Sequence, residues 1–335
     1  MSLAPPPGIY VSAVVFFDDD NELDIDSIRK HVLRLAQCMD RTGRLSTCKN
    51  LPLAFDFHAI HDGSYRSSKE RIKVIRYTRK ALDENGFEKT LVIAGTGAQS
   101  PEETIQLCKD AKEAGASHAL VLTPPAGPNM MSDNDIINFH TRVANGSPIP
   151  TMIFNSPTVT AGLNLNSNII ARLATHPNIV GTKLSCGNIG KLHRLASRFP
   201  SNQFALYTGR SDTYILGLHG GGAGAIAVLA NLVPRLHAKL YELWKDDNIQ
   251  EAMRLQVALS HGDGVIPEIG GIGGIKYVIA KHFGYGSPRV RESFQEVNVP
   301  CPPAPAPLMF SNRCTGIPDS WAFIECLLEQ EAGAG

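Results

Sequence analysis

The chain has 335 residues with 32 basic and 32 acidic side chains, enough length for a large core and no net charge to suit a phosphate backbone or an anionic membrane. Its longest apolar runs, such as Ala225 to Leu229, fall far short of the ~20 residues that cross a bilayer. The start Met-Ser-Leu-Ala-Pro-Pro-Pro has neither part of a secretory signal, so the expectation is a cytoplasmic protein with neither nucleic acid nor a membrane as partner.

Ile9 to Phe17 is rich in β-branched and aromatic residues and runs into the acidic turn Asp18 to Glu22, which predicts a strand and a loop. Ile25, Ile28, Val32, Leu33 and Leu35 recur at helical spacing behind Asp24 or Asp26 as N-cap. A poorly marked strand falls between residues 44 and 57, and Leu91 to Ala94 is the next. Ser100-Pro-Glu-Glu103 combines a cap, a proline at the first helical position and a capping-box glutamate. Strands are then predicted at Ala119 to Leu122, Thr151 to Phe154, Ile179 to Leu184, Phe204 to Tyr207 and Ala225 to Leu229. Between them lie helices at about 133–143, 167–175, 189–199 and 212–218.

Eight apolar strands, each followed by a helical or connecting segment, imply a parallel sheet covered by helices and closed as a (β/α)8 TIM barrel. Pro234 to Trp244, Ile249 to Ser260 and Ile272 to Phe283 read as helices without intervening strands. The expected division is a barrel over 1–232, a helical extension over 233–299, and a proline-rich segment with a terminal helix over 300–335. Cysteines 38, 48, 108, 186, 301, 314 and 326 are scattered without a C-x-x-C pair, which argues against a disulfide framework or a zinc site. His58 and His61 have usable spacing, but no carboxylate or thiol pattern joins them, so no metal is expected.

One lysine stands out. Lys183 ends an otherwise uncharged strand, and the C-terminal strand ends line the active site of such a barrel. Loss of solvation there favours the neutral amine, the form that attacks a carbonyl. Two readings stay open: a nucleophile inside the mouth, or a lysine that caps the strand at the rim. Gly95-Thr-Gly97 follows a strand, but the next strand ends Leu122-Thr-Pro-Pro125 without the acidic residue a dinucleotide fold needs. The run Gly220 to Gly224 suits a flexible lead into the last strand or, less simply, a phosphate cradle.

Several segments resemble the dihydrodipicolinate synthase and N-acetylneuraminate lyase family of class I aldolases over roughly residues 8 to 285. They are Gly8-Ile-Tyr10, Gly95-Thr-Gly-Ala-Gln-Ser100, Phe154-Asn-Ser-Pro157 with Ala161-Gly-Leu163, His176-Pro-Asn-Ile-Val-Gly-Thr-Lys183, Thr208-Gly-Arg-Ser-Asp212 and Gly224-Ala-Ile-Ala-Val-Leu-Ala-Asn231. The resemblance implies that Lys183 is the Schiff-base lysine and that Ile226 and Gly209 line the pocket around a 2-oxo acid. It implies further that no cofactor is used and that the chain assembles as a homo-oligomer, a dimer or tetramer. The stretch from Lys183 to Leu192, with Gly97 to Ser100, is similar to fungal 2-keto-3-deoxy-sugar-acid and 4-hydroxy-2-oxoglutarate aldolases.

Four departures accompany the resemblance. Phe154 stands where the family has a catalytic tyrosine. The hydroxyl-rich loop that grips the pyruvate carboxylate is not found between Leu51 and Arg71, where His61-Asp-Gly-Ser64-Tyr65 is the nearest match and Ser64 the candidate binding residue. The tyrosines after strand four are replaced by Ala126-Gly-Pro-Asn-Met130, and the loop Ser156 to Thr160 lacks the arginine of dihydrodipicolinate synthases, which disfavours that activity. Ser64, Tyr65, Ser185 and Tyr207 are the candidates for a substitute hydroxyl.

Overall fold

In the computed structural model, described over residues 4–38, 53–55, 67–127, 130–290 and 320–334, eight parallel strands close into a barrel in sequence order. They are β1 (Gly8–Ser12), β2 (Leu53–Phe55), β3 (Val92–Gly95), β4 (His118–Leu122), β5 (Thr151–Asn155), β6 (Ile179–Leu184), β7 (Ala205–Thr208) and β8 (Gly224–Ala227). The helices that follow the first seven are α1 (Ile25–Gln37), α2 (Ser68–Asp83), α3 (Pro101–Glu113), α4 (Asp133–Gly146), α5 (Ser167–Leu173), α6 (Ile189–Ala196) and α7 (Tyr214–His219). After β8 come α8 (Pro234–Lys245), α9 (Ile249–Val265) and α10 (Ile272–Phe283), and the terminal helix is α11 (Ser320–Gly333).

Local chemistry starts these helices where hydrogen-bonding side chains meet the orphan amides of a first turn. Asp24 accepts from Ser27 N ahead of α1, and Ser100 accepts from Glu103 N ahead of α3, with Pro101 at the first helical position. Full capping boxes precede α2, with Ser67 and Glu70, and α4, with Ser132 and Asp135.

Two expected strands overrun. β1 ends at Ser12, not Phe17, because Val14 N leaves the ladder to donate to Asn231 Oδ1 at 3.1 Å. β8 ends at Ala227, not Leu229, because Leu229–Asn231 winds into a 3₁₀ turn whose Asn231 Nδ2 donates back to Val228 O. The helix expected to end at Ser260 continues to Val265. The proline-rich residues 300–319 lie outside the described residues.

Alternation along each strand sorts the core into an interior and a jacket. Tyr10, Ile93, Leu120, Leu122, Met152, Phe154, Ala205, Tyr207 and Ile226 form one cluster inside the barrel. Their neighbours Ile9, Val11, Val92, Ala94, Ala119 and Val121 pack outward against the helices. The barrel floor is sealed by the segment before β1: Tyr10 OH donates to Pro6 O at 2.8 Å, and Tyr207 OH donates to Pro5 O at 2.8 Å. Gly224 has φ 155°, and a Cβ there would sit 1.7 Å from Gly8 O. Close passage of β8 past β1 therefore accounts for the last glycine of that run without a phosphate.

Candidate active site

Lys183 lies next to last on β6, its Cα paired with Phe154 on β5 and Tyr207 on β7. Both partners belong to the interior cluster. The register of β6 slips by one residue between Ile179 and Gly181, so Val180 and Lys183, three apart, both face inward. The side chain is 1% exposed. Its Nζ stands 4.7 Å from the centroid of the Phe154 ring and 3.5 Å from Ser12 Oγ. Ser12 is on β1, with β7 and β8 between it and β6, so the amine projects into the lumen and does not cap the strand at the rim.

The walls around this amine are mostly apolar. Ile226, fully buried on β8, pairs with Tyr10 and packs in the same cluster as Phe154. Phe154 sets the face of its ring toward this nitrogen. Tyr207 is corrected as a candidate relay: its hydroxyl is committed to Pro5 O and Pro6 O at the floor. Burial, with Tyr10 beside it, raises that hydroxyl well above the ordinary tyrosine range.

Gly209 sits half-buried just past β7, donating its N–H to Leu184 O at 2.9 Å. A Cβ on Gly209 would fall 2.0 Å from Ser185 Oγ, so glycine is required for the two loops to meet. Ser185 therefore stands at the mouth, its N–H held by Asn155 O at 2.9 Å. Behind it, buried Lys191 donates to Leu165 O and to Asn164 Oδ1, which also accepts from Asn155 Nδ2 at 3.1 Å. Asn155 Oδ1 in turn accepts Leu165 N at 3.0 Å, pinning the loop that follows Phe154. Desolvation lowers the Lys191 ammonium below the usual lysine range, while Cys186 opposes that shift.

The loop after β7 is held from the helical extension. Ser211 Oγ meets His237 Nε2 at 2.9 Å, and Ser211 N donates to Asp263 Oδ1 at 3.2 Å. Arg210 bridges Asp212 at 2.6 Å and Asp263 at 3.2 Å. Burial, with Asp212 nearby, pushes the Asp263 carboxyl up to about 6 against the opposing pull of Arg210.

Ser64 and Tyr65 lie outside the described residues, so neither is assigned a place beside Lys183. Among the described residues, no three His, Cys, Asp or Glu side chains converge in a way that could hold a metal ion.

A buried lysine amine thus enters the barrel interior at the C-terminal end of β6, and comparison with known proteins places the chain in a family. Residues 62–284 match the dihydrodipicolinate synthetase family. The chain belongs to that family. It is 37% identical over 312 residues to the L-threo-3-deoxy-hexylosonate aldolase of Aspergillus niger, covering 84% of this chain and 87% of that one. It is 36% identical over 280 residues to an Emericella nidulans protein named "Probable 4-hydroxy-2-oxoglutarate aldolase, mitochondrial", covering 84% and 86%. Among solved structures, a dihydrodipicolinate synthase family protein from Coccidioides immitis superimposes with a TM-score of 0.74 at 28% identity, covering 99% of this chain and 97% of that one.

One member of the site escaped the sequence. Ser12 falls within Ile9 to Phe17, which the sequence marks only as a strand, yet it shares the inward face with Tyr10 two residues earlier. A hydroxyl at that spacing, in a strand otherwise apolar, is the signal that marks it.

Proposed function

We propose that this chain is a Schiff-base-forming carbon-carbon lyase of the class I aldolase type, acting on a 2-oxo acid such as a 2-keto-3-deoxy sugar acid or 4-hydroxy-2-oxoglutarate and releasing pyruvate. The observation that carries the reading is the buried amine of Lys183 inside the barrel, 3.5 Å from a hydroxyl and 4.7 Å from an aromatic face. The fungal relatives named as aldolases support the same class of substrate.

In this reading Lys183 Nζ attacks C2 of the oxo acid, water leaves, and an iminium forms. The protonated nitrogen then draws in the electron pair released when the C3–C4 bond breaks, while the C4 hydroxyl gives up its proton to water and its O–H pair closes the aldehyde C=O. The product aldehyde departs, and protonation of the enamine at C3 followed by hydrolysis frees pyruvate. Ile226, Phe154 and Gly209 bound the space for the oxo acid, with Ser64 proposed as a further contact. Phe154 also favours a second reading, a family member that binds a 2-oxo acid without turning it over, since it lacks the hydroxyl for proton relay.

Borohydride reduction in the presence of pyruvate tests the reading. A stable adduct on the intact protein, absent from Lys183→Ala, is expected; no adduct with any 2-oxo acid contradicts both versions. Cleavage of 2-keto-3-deoxy acids then separates the lyase from the silent binder. The protein is further proposed to be a cytoplasmic homo-oligomer. Among the described residues no helix is long and apolar enough to cross a membrane, and fractionation against mitochondrial markers tests the compartment.

A further inference from the structure

Imine chemistry needs a proton carrier next to the amine, and Phe154 supplies none. When Lys183 Nζ attacks the carbonyl, the new N–C bond pushes the C=O pair onto oxygen, and a proton must travel from nitrogen to that oxygen. When the carbinolamine collapses, the C–O bond breaks, the nitrogen lone pair closes C=N, and the departing hydroxyl takes a second proton, drawn from solvent, to leave as water. A single hydroxyl that accepts from nitrogen while donating to oxygen performs the first transfer and is itself unchanged.

We propose that Ser12 is this proton shuttle, taking from β1 the part that a hydroxyl on β5 would otherwise play. The inference rests on the reading of Lys183 as the imine-forming lysine. Among the described residues, Ser12 Oγ is a hydroxyl that the structure places at the amine, at 3.5 Å, and the residue is fully buried. A contact of that length is within reach of the tightening that substrate binding brings to catalytic hydrogen bonds.

The backbone of Ser12 is fixed from two sides. Its strand pairs with β2 through Ser12 and Ala54. Its carbonyl accepts from Asn231 Nδ2 at 2.8 Å. Asn231 is itself buried, its Oδ1 accepting from Val14 N at 3.1 Å and meeting His31 Nε2 at 2.9 Å. An amide oxygen can only accept, so His31 presents its proton from Nε2. Burial pushes His31 down to about 3, which keeps this tie neutral and intact near neutral pH. None of these contacts uses the Ser12 hydroxyl, so its replacement leaves the scaffold in place.

The test compares wild type, Ser12→Ala and Ser12→Thr in pre-steady-state imine formation with pyruvate and in steady-state cleavage of a 2-keto-3-deoxy acid. Ser12→Ala should slow imine formation and kcat by about 100-fold, the scale of general acid-base help, with KM and the final extent of borohydride trapping close to wild type. Ser12→Thr, which keeps a hydroxyl, should recover most of the rate. Thermal melts identify any variant that misfolds; if Ser12→Thr does, Ser12→Ala combined with Phe154→Tyr takes its place, and recovery of rate supports the shuttle while no recovery overturns it. Wild-type rates in Ser12→Ala, or a folded Ser12→Thr as slow as alanine, also overturn it. Absence of trapping in wild type removes the Lys183 reading instead, and this inference with it.

Discussion

At the scale of single residues, the site is governed by what surrounds one amine. Lys183 was conspicuous in the sequence because a charge ends an apolar strand, but its direction was not, since capping the rim and entering the lumen leave the same pattern. The one-residue slip in β6 decides the direction, and such slips have no signature in composition. Gly209 was legible only through family resemblance; the physical cause is the Ser185 hydroxyl in the space a Cβ would take. Gly209→Ala should therefore cost about 1–3 kcal/mol of stability, read from urea denaturation midpoints, and should raise KM by crowding the mouth. An unchanged midpoint would mean that the Ser185 loop moves aside freely.

At the scale of elements, the caps were the most legible features, because a cap is local chemistry within four residues. Ser100-Pro101 announced α3 and the structure starts it there. The end of β1 was illegible for the opposite reason: it is cut by Asn231, 217 residues from its Val14 partner, and a contact at that separation leaves no trace in a window of sequence. β8 is cut by a local turn, with Asn231 bonding back to Val228 three residues away, inside a run whose apolar composition reads equally well as strand.

The terminal helix is tied by a similar distant contact. Glu331 on α11 accepts from Arg235 N at 2.8 Å and Leu236 N at 2.9 Å, capping the first turn of α8. Burial pushes its carboxyl up to about 7, above the ordinary value for an unfolded chain. A folded state that holds the proton more tightly gains stability below the unfolded pKa and loses it as pH rises toward 7. Glu331→Gln removes that ionisation while keeping one acceptor oxygen. Its denaturation midpoint should change less between pH 5 and pH 8 than wild type does. Equal changes in the two proteins would contradict a titrating Glu331.

At the scale of the whole molecule, strand-helix alternation was enough to predict a closed barrel, because eight apolar strands with covering helices leave few other ways to bury both faces. The acid side of the stability profile is pulled down by three of the buried imidazoles among the described residues, against the opposite pull of the raised Glu331 and Asp263 carboxyls. Burial depresses His31 and His140 to about 3 and His237 to about 4. Unfolded histidines titrate near 6.5, so the unfolded chain takes up protons first. The stability these groups give is full above about pH 6.5 and is lost as pH falls toward 4 and 3. Denaturant midpoints should fall steadily from pH 7 to pH 4, and His140→Gln, which still reaches Thr123 with an amide, should flatten the slope. A midpoint that rises over that range would contradict neutral burial. The proposed homo-oligomer belongs to this scale as well, and sedimentation at micromolar concentration should show a dimer or tetramer; monomer alone would refute it.

The central claim is that Lys183 forms an imine with a 2-oxo acid inside the barrel, and peptide mapping after borohydride reduction with pyruvate tests it most directly. The adduct is expected on the peptide that carries Lys183 and nowhere else. An adduct on Lys191 or Lys276, the other described lysines that are buried, or no adduct at all, would contradict it.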